Sequence, residues 1–381
     1  MLNIPPNSTY EISQPQRIYL DLLRAVAATM VMVEHGLEIF RIKTVTYLGI
    51  SAVTIFFLLS GFLITVAACR RLYRPGPQFA SFMIDRTARI YTPYLPAIAF
   101  AILANTVFSV GTWGQPGTNT GLGAFLANLL MLEDYPLLQI AARITQNDAF
   151  RIHAYNTAEP FWTVSIEYWI YLAFSLTFFV GIRKEKIQSP LILLSVIAFV
   201  PVVLYSSFAN AGQCLSLVWA IGSVCGYIFV ITSGARDYGI KRYYIVAIVG
   251  AVGFAGRLLK TGELSYELQT IAFMAMCLFG IFMILGASQR EWAQLSKPIA
   301  FFASYSYSLY LVHNTTIIVI YTQIVKAPSL PGLILAFVVA HGVAYAFYRC
   351  FERHHYRVGA FLSAHIKSRT VTSYGVRLSQ G

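Results

Sequence analysis

Ten apolar segments, each close to the length that crosses a bilayer, run through this chain. They fall at 18–40, 46–68, 90–110, 161–182, 189–208, 213–232, 243–259, 267–287, 298–323 and 331–351. A helix of about 20 apolar residues covers about 30 Å of hydrocarbon, so each is expected to be one membrane span. The chain therefore reads as an all-α, polytopic membrane helix bundle. Residues 122–132 make an eleventh apolar stretch, too short to cross, and are expected as an interfacial or re-entrant helix. On this reading 1–17 is a cytoplasmic N-terminal segment, 18–351 the membrane domain and 352–381 a basic cytoplasmic tail.

Composition agrees. The 381 residues are 57% hydrophobic and 12% charged, where a soluble domain carries about 25% charged residues. The net charge of +12 invites a nucleic-acid partner, but its distribution along the chain argues for a lipid bilayer instead. With the N-terminus placed inside, 19 of the 28 Lys and Arg fall in inner segments and 6 in outer ones. That bias sets orientation through the positive-inside rule. It puts both termini on the cytoplasmic side, most simply of a bacterial inner membrane. The polar first sixteen residues do not resemble a cleavable signal. The five cysteines form no CxxC pair, and no HxxxH box is present, so neither a zinc site nor a di-iron site is expected.

The ionisable residues inside the spans carry the functional argument. Arg24 and His35 are eleven residues apart in the first span. That separation is three helical turns, so both lie on one stripe, about 16 Å apart along the axis. Asp21 can pair with Arg24 across one turn. Arg86 and Arg89 share a helical face at the inner mouth of the third span and could hold phosphate bidentately, or serve as plain positive-inside anchors. The fourth span opens with Trp162 and carries Glu167 about as far below the outer surface as His35. A carboxylate there could orient the imidazole. The ninth span holds Ser304, Ser306, Ser308, Tyr305, Tyr307, Tyr310 and His313, a set able to line a polar tunnel or to join helices.

In order along the chain, five blocks of residues resemble the acyltransferase-3 family of membrane O-acyltransferases. They are Leu20-Asp21-Leu22-Leu23-Arg24-Ala25 with His35 eleven residues after Arg24; Ile55 to Thr65, including Ser60-Gly61; Arg86-x-x-Arg89-Ile90-x-x-Pro93; Trp162 through Glu167 to Tyr171; and Ser304 to His313. The resemblance covers nearly the whole chain. It implies acetyl-CoA as a cytoplasmic co-substrate, a hydroxyl acceptor that is often a sugar of a polysaccharide, lipid-linked sugar or oligosaccharide, and functional roles for Arg24, His35, Arg86 and Arg89. Two departures stand out. Thr54 sits where relatives often carry an acid, and Glu352-Arg353-His354 replaces a Glu-Arg-Pro. With about thirty residues after the last span, a stand-alone polysaccharide or oligosaccharide O-acetyltransferase is expected.

Together these readings give a mechanism. With the acetyl-CoA donor that the resemblance implies, Arg86 and Arg89 would hold the CoA phosphates, and Arg24 would contact the pantetheine or thioester region. His35 would act as general base with Glu167 orienting it, and Trp162, Ser60, Tyr310 and His313 would line the substrate path. No metal is expected. Two other readings stay open: acylation of a cytosolic glycoside, and a proton-coupled multipass transporter built on Arg24 and His35.

Overall fold

The computed structural model describes residues 10–42, 48–76, 78–110, 121–133, 135–147, 150–182, 214–233, 239–261, 267–288 and 292–365. The span expected at 189–208, residues 111–120 of the outer loop and the tail beyond 365 lie outside them. Among the described residues every regular element is helical: α1 (Gln14–Ile39), α2 (Leu48–Arg71), α3 (Phe79–Phe108), α4 (Leu122–Leu129), α5 (Pro136–Thr145), α6 (Phe161–Ser175), α7 (Leu215–Thr232), α8 (Ile240–Thr261), α9 (Leu268–Gly286), α10 (Ala293–Ser304), α11 (Ser306–Val319), α12 (Leu330–Cys350) and α13 (355–365). Helices α6 and α11 run on as π-turns, Leu176–Ile182 and Ile320–Val325. Among the described residues, eight helices are long and apolar enough to cross a membrane, so the chain is a multipass membrane bundle.

Helix α1 is not one of the eight, although its 26 residues span about 39 Å at 1.5 Å per residue. Arg17, Asp21, Arg24, Glu34 and Glu38 dilute its apolar character. Its surroundings explain how it carries them: α1 packs against α2, α9, α10, α11 and α12, so protein rather than lipid surrounds much of its length. Its start is fixed locally. Ser13 Oγ accepts from Gln16 N at 3.4 Å and Gln16 Oε1 accepts from Ser13 N at 3.0 Å, a reciprocal cap with Pro15 in the first turn. Gln16 Nε2 also donates to Phe282 O at 3.1 Å, tying the helix start to α9.

The tightest helix pair is α2 against α7. A Cβ at Gly61 would lie 2.0 Å from Trp219 O, one at Gly222 would lie 2.2 Å from Leu58 O, and one at Gly226 would lie 2.7 Å from Phe62 O. Gly222 and Gly226 form a small-xxx-small step, which lets two membrane backbones touch where side chains would hold them apart. This approach has a consequence for the site, because it brings Trp219 within reach of Ser60.

Three boundaries differ from expectation. Helix α3 begins at Phe79 rather than near residue 90, so Arg86 and Arg89 stand on the helix, two to three turns in. The ninth span is broken at Tyr305, where α10 ends and α11 begins. Ser304 Oγ donates to Phe301 O at 2.7 Å and Ser306 Oγ to Ala303 O at 2.9 Å. Such back-bonding competes with the helix ladder and favours a break. Finally, Glu352, assigned from sequence to the tail, is fully buried.

Candidate active site

Three arginines come together although they arise from two helices, with Arg24 lying 62 residues before Arg86 in sequence. Arg24 of α1 and Arg86 and Arg89 of α3 line one cavity of about 190 Å³, with Ser60, Glu167 and Tyr310 also in its wall. Arg24 additionally lines a wider basin of about 530 Å³ with Arg17, Arg70, Glu11 and Asp21. The two spaces share Arg24 and Leu63. Arg24 therefore stands where the basin meets the inner cavity.

The three guanidinium groups differ in their commitments. Arg24 Nη1 lies 3.6 Å from Asp21 Oδ1, too long for a hydrogen bond. Arg86 has its Nε buried without a hydrogen-bond partner, and its guanidinium lies 5.6 Å from the Phe82 ring centre. Asp85, its neighbour in sequence, is taken up by Arg71. Arg89, by contrast, forms an ion pair with Glu352 at 2.9 Å and lies over the Tyr307 ring. The other oxygen of Glu352 accepts from Ser308 N at 3.0 Å and Ser308 Oγ at 2.7 Å. Ser308 sits in the first turn of α11, whose leading N–H groups lack partners within the helix. The break at Tyr305 creates that helix start, and Glu352 satisfies it with a charge that complements the positive end of the helix dipole.

Glu167 belongs to this cavity. Its carboxylate accepts from Tyr171 O–H at 2.5 Å; Tyr171 lies 2.9 Å from Ser60 Oγ, which accepts from Trp219 Nε1–H at 3.1 Å. Indole nitrogen only donates and carboxylate only accepts. The relay therefore runs one way: Trp219 to Ser60, Ser60 to Tyr171, Tyr171 to Glu167.

His35 has a different partner from the one expected. Its Nδ1 lies 3.0 Å from Nε2 of His313 on α11, with ring centres 5.1 Å apart and planes 20° apart. Glu167, proposed from its depth as the orienting group, instead ends the tyrosine relay; matching depth on two helices does not fix which faces meet. His313 is fully buried and its Nδ1 lies 2.9 Å from Leu309 O. Tyr310 bridges the two regions: it lines the arginine cavity, and its ring centre is 6.1 Å from that of His313. Of the remaining expected residues, Trp162 packs half-buried against the core and is not in the cavity wall.

The chain before α6 closes over this part of the bundle through buried bonds. Asn314 Nδ2 donates to Thr157 O at 2.9 Å, Thr315 Oγ1 meets Thr157 Oγ1 at 2.7 Å, and Tyr310 O–H donates to Pro160 O at 3.0 Å. Asn128 at the end of α4 donates to His153 O at 3.1 Å and accepts from Tyr155 N at 3.2 Å. It thereby anchors the same strap. Tyr171 closes the Trp162–Tyr171 block but carries no role readable from the sequence, and Trp219, Asn314 and Thr157 are not marked there as parts of the site. For Trp219 the Gly222-x-x-x-Gly226 step is a signal of close helix approach.

Among the described residues no group of three His, Cys, Asp or Glu side chains is placed to hold a metal ion. No curated protein and no solved structure matches the chain. The acyltransferase-3 family model, an acyltransferase domain, matches residues 17–349, which takes in all three arginines, both histidines and Glu167. The chain belongs to the acyltransferase-3 family and is a membrane acyltransferase.

Proposed function

We propose that this enzyme moves an acetyl group from acetyl-CoA on the cytoplasmic side of a bacterial inner membrane to a sugar hydroxyl of a cell-surface or exported glycan. The observation that carries this reading is the shared cavity of Arg24, Arg86 and Arg89, joined through Tyr310 to the His35–His313 pair. An excess of guanidinium groups around a confined space suits an anionic donor. The proposed orientation, with both termini in the cytoplasm, is supported by the inner excess of Lys and Arg.

In this mechanism Arg86 binds donor phosphate, Arg24 contacts the donor nearer the thioester, and the slender pantetheine arm enters the bundle. The acceptor hydroxyl oxygen attacks the thioester carbonyl carbon while His35 takes the hydroxyl proton. Collapse of the tetrahedral adduct breaks the carbon–sulfur bond. The CoA sulfur leaves with the proton from His35, and the sugar keeps the acetyl group as an ester. Glu167 lines the same cavity as Arg24 and Arg86 and is held there by Tyr171.

Sealed vesicles of known orientation test the reading. Acetyl-CoA supplied to the cytoplasmic face, with glycan on the opposite face, should give acetylated glycan and free CoA in equal amounts. Transfer with both supplied only on the cytoplasmic face would replace the glycan acceptor with a cytosolic glycoside. Passage of a solute with no thioester consumed would replace the enzyme mechanism with transport.

A further inference from the structure

We infer that His313 is a positioning residue that fixes the protonation pattern of His35, leaving the lone pair of His35 Nε2 for the reacting hydroxyl. The inference deepens the assignment of His35 as general base and rests on it.

The carbonyl oxygen of Leu309 can only accept, so the 2.9 Å contact from His313 Nδ1 puts a proton on that nitrogen. A neutral imidazole carries one N–H, so Nε2 of His313 holds a lone pair. The 3.0 Å contact with His35 then has one possible donor, the Nδ1–H of His35. By the same count, neutral His35 has its lone pair on Nε2. Each proton position follows from the partner bonded to the other nitrogen, which is how second partners set histidine tautomers.

His313 is at 0% exposure, whereas His35 is partly exposed. His313 therefore has no surface from which to meet a substrate and acts through its neighbour. When His35 takes the hydroxyl proton on Nε2 it becomes a cation, and its Nδ1–H···Nε2 bond to His313 becomes charge-assisted and stronger. A carboxylate in this place would also orient His35, but it would add a negative charge. Here both partners are neutral, and the orientation is set by a helix carbonyl four residues back. Packing alone accounts for burial of His313; it does not account for a nitrogen aimed at His35 and the other held by Leu309.

Two readouts test this, and one needs no activity. In nitrogen-15 spectra of histidine-labelled protein in detergent, at a pH where imidazole is neutral, the His35 signals are identified by their loss in His35→Ala. The expected pattern is a protonated Nδ1 and an unprotonated Nε2, changing to a mixture of tautomers in His313→Leu. A proton on Nε2 in the wild type, or no change in His313→Leu, overturns the inference whatever the enzyme's substrate proves to be. In the second readout, acetyl-CoA is supplied with a panel of methyl pyranosides. His313→Leu should lower kcat by about 10–100-fold, less than loss of the base itself, which is worth about 10²–10⁴-fold. KM for acetyl-CoA should stay within about threefold. His313→Gln keeps an acceptor for His35 and should recover much of kcat. Activity of His313→Leu within about threefold of wild type, or a Gln variant no better than Leu, rejects the positioning role. A wild type that consumes no thioester with any acceptor would count against the enzyme mechanism and leave the tautomer result standing.

Discussion

The arginine cavity and the histidine pair are built on opposite principles. Around the cavity, formal charges meet formal charges. Arg89 holds Glu352, Arg71 holds Asp85, Arg24 stands near Asp21, and Arg86 has a buried nitrogen with no partner. Around His35 and His313 the bonds run between neutral groups: imidazole to imidazole, imidazole to Leu309 O, Asn314 to Thr157 O, Tyr310 to Pro160 O. Charges in low dielectric attract strongly over distance but specify direction poorly; hydrogen bonds to fixed carbonyls specify direction well. The first region is suited to drawing in and holding an anion. The second is suited to keeping a proton acceptor in one geometry. A solute pathway would need one kind of environment to continue through the bundle, whereas an enzyme joining an anionic donor to a neutral hydroxyl needs both.

The largest test of this contrast is His35→Ala. Transfer should fall about 10²–10⁴-fold, while CoA affinity measured by calorimetry stays within about twofold because the arginine cavity is intact. A parallel loss of CoA binding would show that the two regions are not separable. Next come the two arginines of α3, which the sequence presents as equivalent and the structure does not. Arg89→Ala removes the cation paired with Glu352, a carboxylate at 0% exposure, and leaves it only the two bonds from Ser308. It should lower stability in detergent by about 1–3 kcal/mol, a figure reduced because Arg89 itself is partly exposed. Arg86→Ala leaves no buried carboxylate behind. It should weaken CoA binding by about 10–150-fold, the size of one charge-assisted hydrogen bond, with little change in melting temperature. Equal melting temperatures for the two variants would remove the distinction.

Much of the bundle was legible in the sequence because a bilayer imposes a length on every crossing segment. The helices α2, α6, α7, α9 and α12 lie where their apolar runs predict. The stripe of Arg24 and His35 was legible for the same reason, since helical periodicity alone places two residues of one helix. What was not legible is contact between helices. Depth puts Glu167 and His35 in one layer but does not say which faces turn toward each other, and the structure gives His35 to His313 and Glu167 to Tyr171. The break at Tyr305 was hidden because the run of apolar and hydroxyl residues reads as continuous. Only the Ser304 and Ser306 back-bonds and the distant Glu352 make a helix start there favourable. Glu352 itself follows directly on the last apolar run, a position from which sequence alone suggests a solvated tail.

The smallest expected effect concerns the relay that ends on Glu167. Trp219→Phe removes one neutral hydrogen bond, worth about 0.5–1.5 kcal/mol, and keeps most of the aromatic volume against Phe174. Ser60 then has no indole donor, and the chain through Tyr171 to Glu167 is one bond shorter. Glu167 is in the wall of the arginine cavity, so the loss should appear there, as a roughly two- to tenfold rise in KM for acetyl-CoA with kcat close to wild type. The nitrogen-15 signature of His35 should not move, since none of the relay residues bonds to either histidine. Gly222→Ala would reach the same relay from the backbone, because its Cβ meets Leu58 O at 2.2 Å and forces α7 away from Ser60. Its KM effect should exceed that of Trp219→Phe and be accompanied by a lower melting temperature. If instead Trp219→Phe lowers kcat and leaves KM alone, the relay serves the proton-accepting end, and the division between a charged binding region and a neutral catalytic one fails at Glu167.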